Sequence, residues 1–182
     1  MNGNKVCLLL VLSCASLGAA EAPGASKVFD RELSNTEKEV VSLVEAMPAD
    51  KFAFAPTNGE FKGVRTFAQQ AKHIAYELHV LATGMLEETE APITAAGENG
   101  PDSVRSKEDI VKYLKEAFAH AHQAIATLTN ENVMQETPDP FNPKANRARA
   151  SSASIMLWHT YDHYGQMVVY ARMNNVIPPA SR

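Results

Sequence analysis

Near the end of a 182-residue chain, the run His159-Thr160-Tyr161-Asp162-His163-Tyr164-Gly165-Gln166 sets two histidines four residues apart in an apolar-patterned stretch. On a helix, positions i and i+4 lie within about 40° of each other and about 6 Å apart along the axis, so both imidazoles can reach one metal ion. A third histidine, His73, falls in an earlier stretch of helical pattern, where a packed bundle could bring it opposite the pair. Three neutral imidazoles and an open position form the ligand set of a catalytic divalent-metal site. Spacing alone leaves the bland alternative open, that the pair are polar residues on an ordinary helix. Gln166 and Tyr170 extend the histidine row by steps of three and four, and such a polar row between apolar flanks suits the border of a cavity. The metalloprotease motif of the same spacing needs Glu directly after its first histidine; Thr160 stands there, which argues against peptide hydrolysis by that scheme. Nor does the chain carry the Glu-x-x-His pair of di-iron bundles. Two carboxylates are candidates for a general base or for orienting an imidazole: Glu77, one turn after His73, and Asp162, about 60° around the helix from His159. Either could equally be a solvated helix carboxylate.

The elements that must position these groups read as helices. Ser34 and Glu37 fit a capping box for a first helix, which could begin as early as Asp30; Val40, Val41, Leu43, Val44 and Met47 give it a stripe, and Pro48 stops it. After a loop over Lys51 to Gly63, Thr66 is the expected cap of a second helix to about Met85, with Phe67, Ala71, Ile74 and Leu78 on one face and His73 at its edge. His79 lies about 120° from His73, too far round to share its metal. Residues 90–105 read as an irregular connection of the kind that crosses over in a bundle. Ser106 caps a third helix, with Glu108 and Asp109 in its first turn where the dipole favours acids. His120 and His122 flank that helix's stripe on opposite sides and are read as solvated. Residues 129–149, with Pro138, Pro140 and Pro143, form a second long loop, and a fourth helix runs from about Ser152 to Asn174. No strand-like alternation is sustained, so the class is all-α, a four-helix bundle occupying residues 30–180.

Beyond these patterns, several motifs carry a resemblance. Phe52-Ala53-Phe54-Ala55-Pro56, Arg65 through His73 to Ala75, His159-x-x-x-His163-x-Gly165-Gln166, Tyr170-Ala171-Arg172 and Ile177-Pro178-Pro179 together resemble the DinB-like (DinB/YfiT) family, a group regarded as metalloenzymes and unrelated to the similarly named DNA polymerases. The resemblance spans roughly Phe29 to Pro179. It implies a four-helix bundle holding a metal on three histidines, here His73, His159 and His163. Many members have Arg before the Gly-Gln pair where this chain has Tyr164, so no role of that arginine carries over. Characterised relatives include thiol-dependent S-transferases and a maleylpyruvate isomerase, which implies a water or thiol activated for hydrolysis or transfer on a small molecule. A non-enzymatic metal- or ligand-binding bundle of the cell envelope is the alternative. Three imidazoles suit several divalent metals, and Zn is placed ahead of Ni.

The first twenty residues have the plan of a secretory signal peptide: Lys5, an apolar run from Val6 to Leu12, then small residues to Ala20. Cleavage before Glu21 would leave a linker over residues 21–29 and place the protein in the periplasm or outside the cell. Both cysteines, Cys7 and Cys14, belong to this segment, so the mature chain would hold no disulfide and no thiolate catalyst. Val11-Leu12-Ser13-Cys14 loosely resembles a lipobox, but Leu12 and the short apolar run argue against a lipid anchor on Cys14. The net charge is −4, and loss of Lys5 makes it one unit more negative. An acidic chain without a basic run lacks the electrostatic footprint of a nucleic-acid binder. The partner expected is a small-molecule substrate, with exposed helix faces leaving room for a homodimer.

Overall fold

The computed structural model describes residues 24–88, 97–142 and 144–182. The expected signal peptide and cleavage site, with Cys7 and Cys14, lie outside the described residues, as do residues 89–96 and Pro143. Four helices build the fold: α1 (Ala25–Ala46), α2 (Phe67–Leu86), α3 (Lys107–Ala126) and α4 (Arg149–Met173). Each contributes one stripe to a common core in which Leu33, Leu43, Phe67, Ile74, Leu78, Leu114, Phe118 and Ile125 are essentially fully buried. At about 25 cal/mol per Å² of apolar surface, that burial is what holds the bundle against chain entropy.

Local chemistry sets most of the ends. Thr66 forms a complete capping box with Gln69, and the next two amide groups, of Phe67 and Ala68, donate to the carbonyls of Phe54 and Phe52. Ser106 accepts from the Asp109 amide, as its position predicts. The C-terminal carbonyls of α1 are met by Lys107, whose Nζ donates to Glu45 and Met47. Helix α1 starts at Ala25, well before the Ser34 box, which is an interior turn of the helix. Two things extend it: Leu33 is buried and Phe29, one turn earlier, packs on the core, while the Ala25 amide is held by Asn130 Oδ1. Most of the segment read as linker is therefore helix. The loop 129–149 also departs from expectation. It contains an antiparallel ribbon, β1 (Glu136–Pro138) with β2 (Asn146–Ala148), too short for alternation to register in the sequence. Helix α4 begins directly after it, at Arg149.

The packing order is not the chain order. Helix α1 packs against α3 and α4, and α2 against the same two, so consecutive helices α1 and α2 lie across a diagonal, as do α3 and α4. Helices α2 and α3 share the largest interface and run the same way: Gly100 lies against both Lys72 and Tyr113, and seven residues further along each helix His79 meets His120. The end of α2 and the start of α3 therefore lie at opposite ends of the bundle, in keeping with a crossover between them. Helix α4 runs opposite to α2. Tyr170 donates to the Arg65 carbonyl at the start of α2, Gln70 pairs with Gln166, and Arg149 Nη1 donates to the Met85 carbonyl at its end. That ladder sets the histidine row of α4 against His73.

Candidate metal centre

The α2–α4 register brings His73, His159 and His163 into one group whose ligand nitrogens all lie within 4.8 Å of one another. His159 Nε2 and His163 Nε2 are 3.1 Å apart. Tetrahedral zinc with bonds of about 2.0–2.1 Å separates its nitrogens by roughly 3.3 Å, so this pair already stands at ligand spacing. The His73 ring lies 4.5 Å from that of His163 and 5.1 Å from that of His159, closing the group from the α2 side.

Hydrogen bonds decide which nitrogen two of the rings offer. His163 Nδ1 is 2.6 Å from Gln70 Oε1, an atom that can only accept, so Nδ1 carries the proton and Nε2 keeps its lone pair. The Gln70 orientation is fixed in turn, because its Nε2 donates to Gln166 Oε1 at 2.8 Å and Gln166 Nε2 donates to Asp162 Oδ2 at 3.3 Å. This chain of amides ends on a carboxylate. His73 Nδ1 donates to the Glu98 backbone carbonyl at 2.6 Å, so its Nε2 is free as well. Metal-binding histidines ordinarily have their second nitrogen held in this way, which sets tautomer and ring orientation.

Electrostatics keeps the rings neutral. Burial is the main cause that lowers the pKa of all three, to about 4 for His159 and about 3 for His163, helped in those two by a neighbouring imidazole. Neutral imidazole at pH 7 is the ligating form. The donor set, the tautomers and the protonation state all fit a divalent ion. Beside the group opens a cavity of about 480 Å³, lined by Gly63, Val64, Arg65, Gln69, Gln70, Asn99, His163 and Gln166.

The other candidates fall as follows. Glu77 is half-buried on α2, outside the ligand group, and burial, with the Glu98 charge second, raises its carboxyl to about 7. Asp162 is exposed and holds Gln166, while its charge acts on His159 against the effect of burial. Tyr161, two residues after His159, borders a groove with α1 residues rather than the cavity. His79 stays apart from His73, as its angle requires. The reading of His120 as solvated is corrected: it is buried, with Nδ1 3.0 Å from His79 Nδ1 and Nε2 3.0 Å from Glu88, because α3 turns it into the α2 interface. His122 is half-exposed between Asp30 and Glu37 of α1. Sequence reasoning missed Gln70 and the Glu98 carbonyl. The first had a signal, since three residues before His73 on a helix is the same face; the second is backbone and had none.

A profile of the DinB superfamily matches residues 32–167, three quarters of the chain and both ends of the histidine group. The chain belongs to the DinB superfamily. A crystal structure of a DinB-like protein from Bacillus cereus ATCC 10987 superimposes with a TM-score of 0.66 at 16% identity, covering 84% of this chain and 95% of that one. At that identity the likeness speaks for the DinB bundle alone. No curated protein matches the chain. Among the described residues of this DinB-superfamily chain, no helix is long and apolar enough to cross a membrane.

Proposed function

We propose that this DinB-superfamily protein is an exported metal-dependent enzyme that acts on a small molecule by hydrolysis or by transfer to a thiol. The observation that carries the reading is the convergence of His73, His159 and His163 with the Nδ1 protons of two of them already committed elsewhere. A divalent ion on these residues, Zn ahead of Ni, would supply Lewis acidity and lower the pKa of a water or thiol reaching it. The chain's own part is positioning and proton transfer. Gln70 and the Glu98 carbonyl orient two imidazoles, and the cavity beside His163 admits the substrate. Glu77 and Asp162 are the two candidates for moving a proton: burial raises the Glu77 carboxyl to about 7, and the Asp162 carboxylate accepts from Gln166. An accessible cavity at the group favours catalysis over a purely structural ion.

The test is metal content. After dialysis against Zn, the wild type is expected to retain one ion per chain by mass spectrometry. Single changes of His73, His159 or His163 to Ala should lose it, whereas His120→Ala and His122→Ala should keep it. Equal retention in all five variants would refute the assignment. Export rests on the Lys5, Val6-to-Leu12 and small-residue pattern. Edman sequencing of the native protein should begin at or near Glu21, and an intact Met1 or a lipid on Cys14 would overturn the soluble exported form.

A further inference from the structure

Among the described residues, the cavity beside the histidines carries one charged lining residue, Arg65; the rest of its polar lining comes from Gln69, Gln70, Asn99, His163 and Gln166. Arg65 precedes the Thr66 cap, so it sits at the foot of α2 where the chain enters the helix. Its backbone carbonyl accepts from Tyr170 Oη, which ties this point of the chain to α4. Its guanidinium is aimed by two bonds, Nε to Asn99 Oδ1 at 2.9 Å and Nη2 to Glu98 Oε2 at 3.0 Å. A guanidinium has five N–H donors in a planar fork that matches a carboxylate, and these two contacts leave most of that fork unspent. The Glu98 side chain is 72% exposed, so its ion pair with Arg65 is of the weak surface kind and can be exchanged for another carboxylate. Arg65 is also close enough to the centre for its charge to bear on all three imidazoles.

We propose that Arg65 is the anion-recognition residue of this cavity, and that the substrate is a small carboxylate whose acid group pairs with Arg65 while its reacting end faces the three histidines. The proposal deepens the metal-centre reading and rests on it. Glu98 shows the chemistry the site selects, because a carboxylate is what the guanidinium already holds. It further links the two ends of the substrate: the backbone of Glu98 orients His73 while its side chain shields Arg65. An incoming carboxylate would displace the side chain without disturbing the carbonyl.

The experiment titrates Co(II)-loaded full-length protein with 3-mercaptopropionate and, separately, with the neutral 3-mercaptopropanamide, reading the cobalt absorption bands. Both probes bring the same thiol to the ion and differ only at the end that would meet Arg65. The acid is expected to bind at least about tenfold more tightly than the amide, the scale of a charge-assisted hydrogen bond. In Arg65→Gln the acid should fall to the affinity of the amide, with cobalt stoichiometry and amide affinity unchanged; Arg65→Lys should keep part of the preference. Equal affinities in the wild type, or a preference that survives Arg65→Gln, would overturn the proposal while leaving the metal centre standing. Failure of the wild type to take up cobalt would overturn both.

Discussion

Gln70 stands here where many metal sites use a carboxylate: its Oε1 accepts the hydrogen bond from Nδ1–H of His163, a candidate ligand, and does so as a neutral amide braced by Gln166. Removing such a partner typically costs 10–100-fold in metal affinity. Gln70→Ala is therefore expected to weaken Zn binding by about that factor in a competition titration, with the four helices intact by circular dichroism; unchanged affinity would deny Gln70 its orienting role. The pH response of the metal-free protein follows from the same residues. His79 and His159 are held at about 4 and His163 at about 3, all below the 6.5 expected of the unfolded chain, chiefly by burial. As pH falls below 6.5 the unfolded chain takes up these protons and the folded one does not, so stability present above that point is lost toward pH 4. Glu77, raised to about 7, works the other way, since its folded form binds a proton that the unfolded form does not, but it is one group against several. Urea unfolding at pH 7.5, 6 and 5 should show stability decreasing with acid, and His79→Phe should shallow the slope. A profile flat over that range would contradict the assignment of neutral buried imidazoles. The grouping of His159 with His163 was legible in their helical spacing, and His73 joined them through the family resemblance. The burial of His120 was not legible: its angle placed it at the stripe's edge, and only the neighbour α2 decides whether an edge position is wet or buried.

At the level of elements, the short stretch before α3 does more for the centre than its irregular pattern suggests. Residues 97–101 carry the Glu98 carbonyl that holds His73, and they are pinned by Lys72 Nζ donating to the Pro101 carbonyl. Gly100 sits there with φ +68°, and a Cβ would stand 2.9 Å from Lys72 Cβ and 3.3 Å from Tyr113 Cε1. Gly100→Ala should cost about 1–2 kcal/mol from the left-handed backbone alone, more if Lys72 cannot yield. It should also weaken Zn binding, because the strain is relieved by moving the segment that orients His73. Thermal melts together with Zn titration read the two effects, and a variant less stable yet unimpaired in Zn affinity would show that the segment does not position the ligand. The helices themselves were readable from stripes and caps, Thr66 and Ser106 above all, since capping chemistry is local. The true start of α1 was not, because Ser34 satisfies the capping pattern equally well from inside a helix whose earlier turn is stabilised by tertiary contacts. The β1–β2 ribbon escaped for the related reason that three residues per strand show no period.

On the scale of the whole molecule, the centre lies where two helices distant in sequence are held in antiparallel register, and an ion there would tie α2 to α4 across the core. The same two helices are joined without metal by the Tyr170, Gln70 and Arg149 contacts and by apolar packing along their length. An all-α bundle was legible because each helix shows its own stripe; which helices are neighbours was not, because packing order follows from the path of the long connections rather than from any one stripe. With so extensive an apolar core, the bundle is expected to fold without metal, unlike small domains whose core is the metal site. Metal bound only by the native state must still raise its stability, by about 2.7 kcal/mol when free metal is a hundredfold above its dissociation constant. For a domain of this size such an increment shifts the melting temperature by roughly 5–10 °C. Chelation is therefore expected to lower the melting temperature of the Zn-loaded protein by several degrees while the room-temperature circular dichroism stays helical. His159→Ala should melt with the chelated wild type and show no response to chelator. Collapse of the helical signal on chelation would mean that the bundle needs its ion to fold, and an unchanged melting temperature in a sample shown to carry Zn would place that Zn somewhere other than the three histidines.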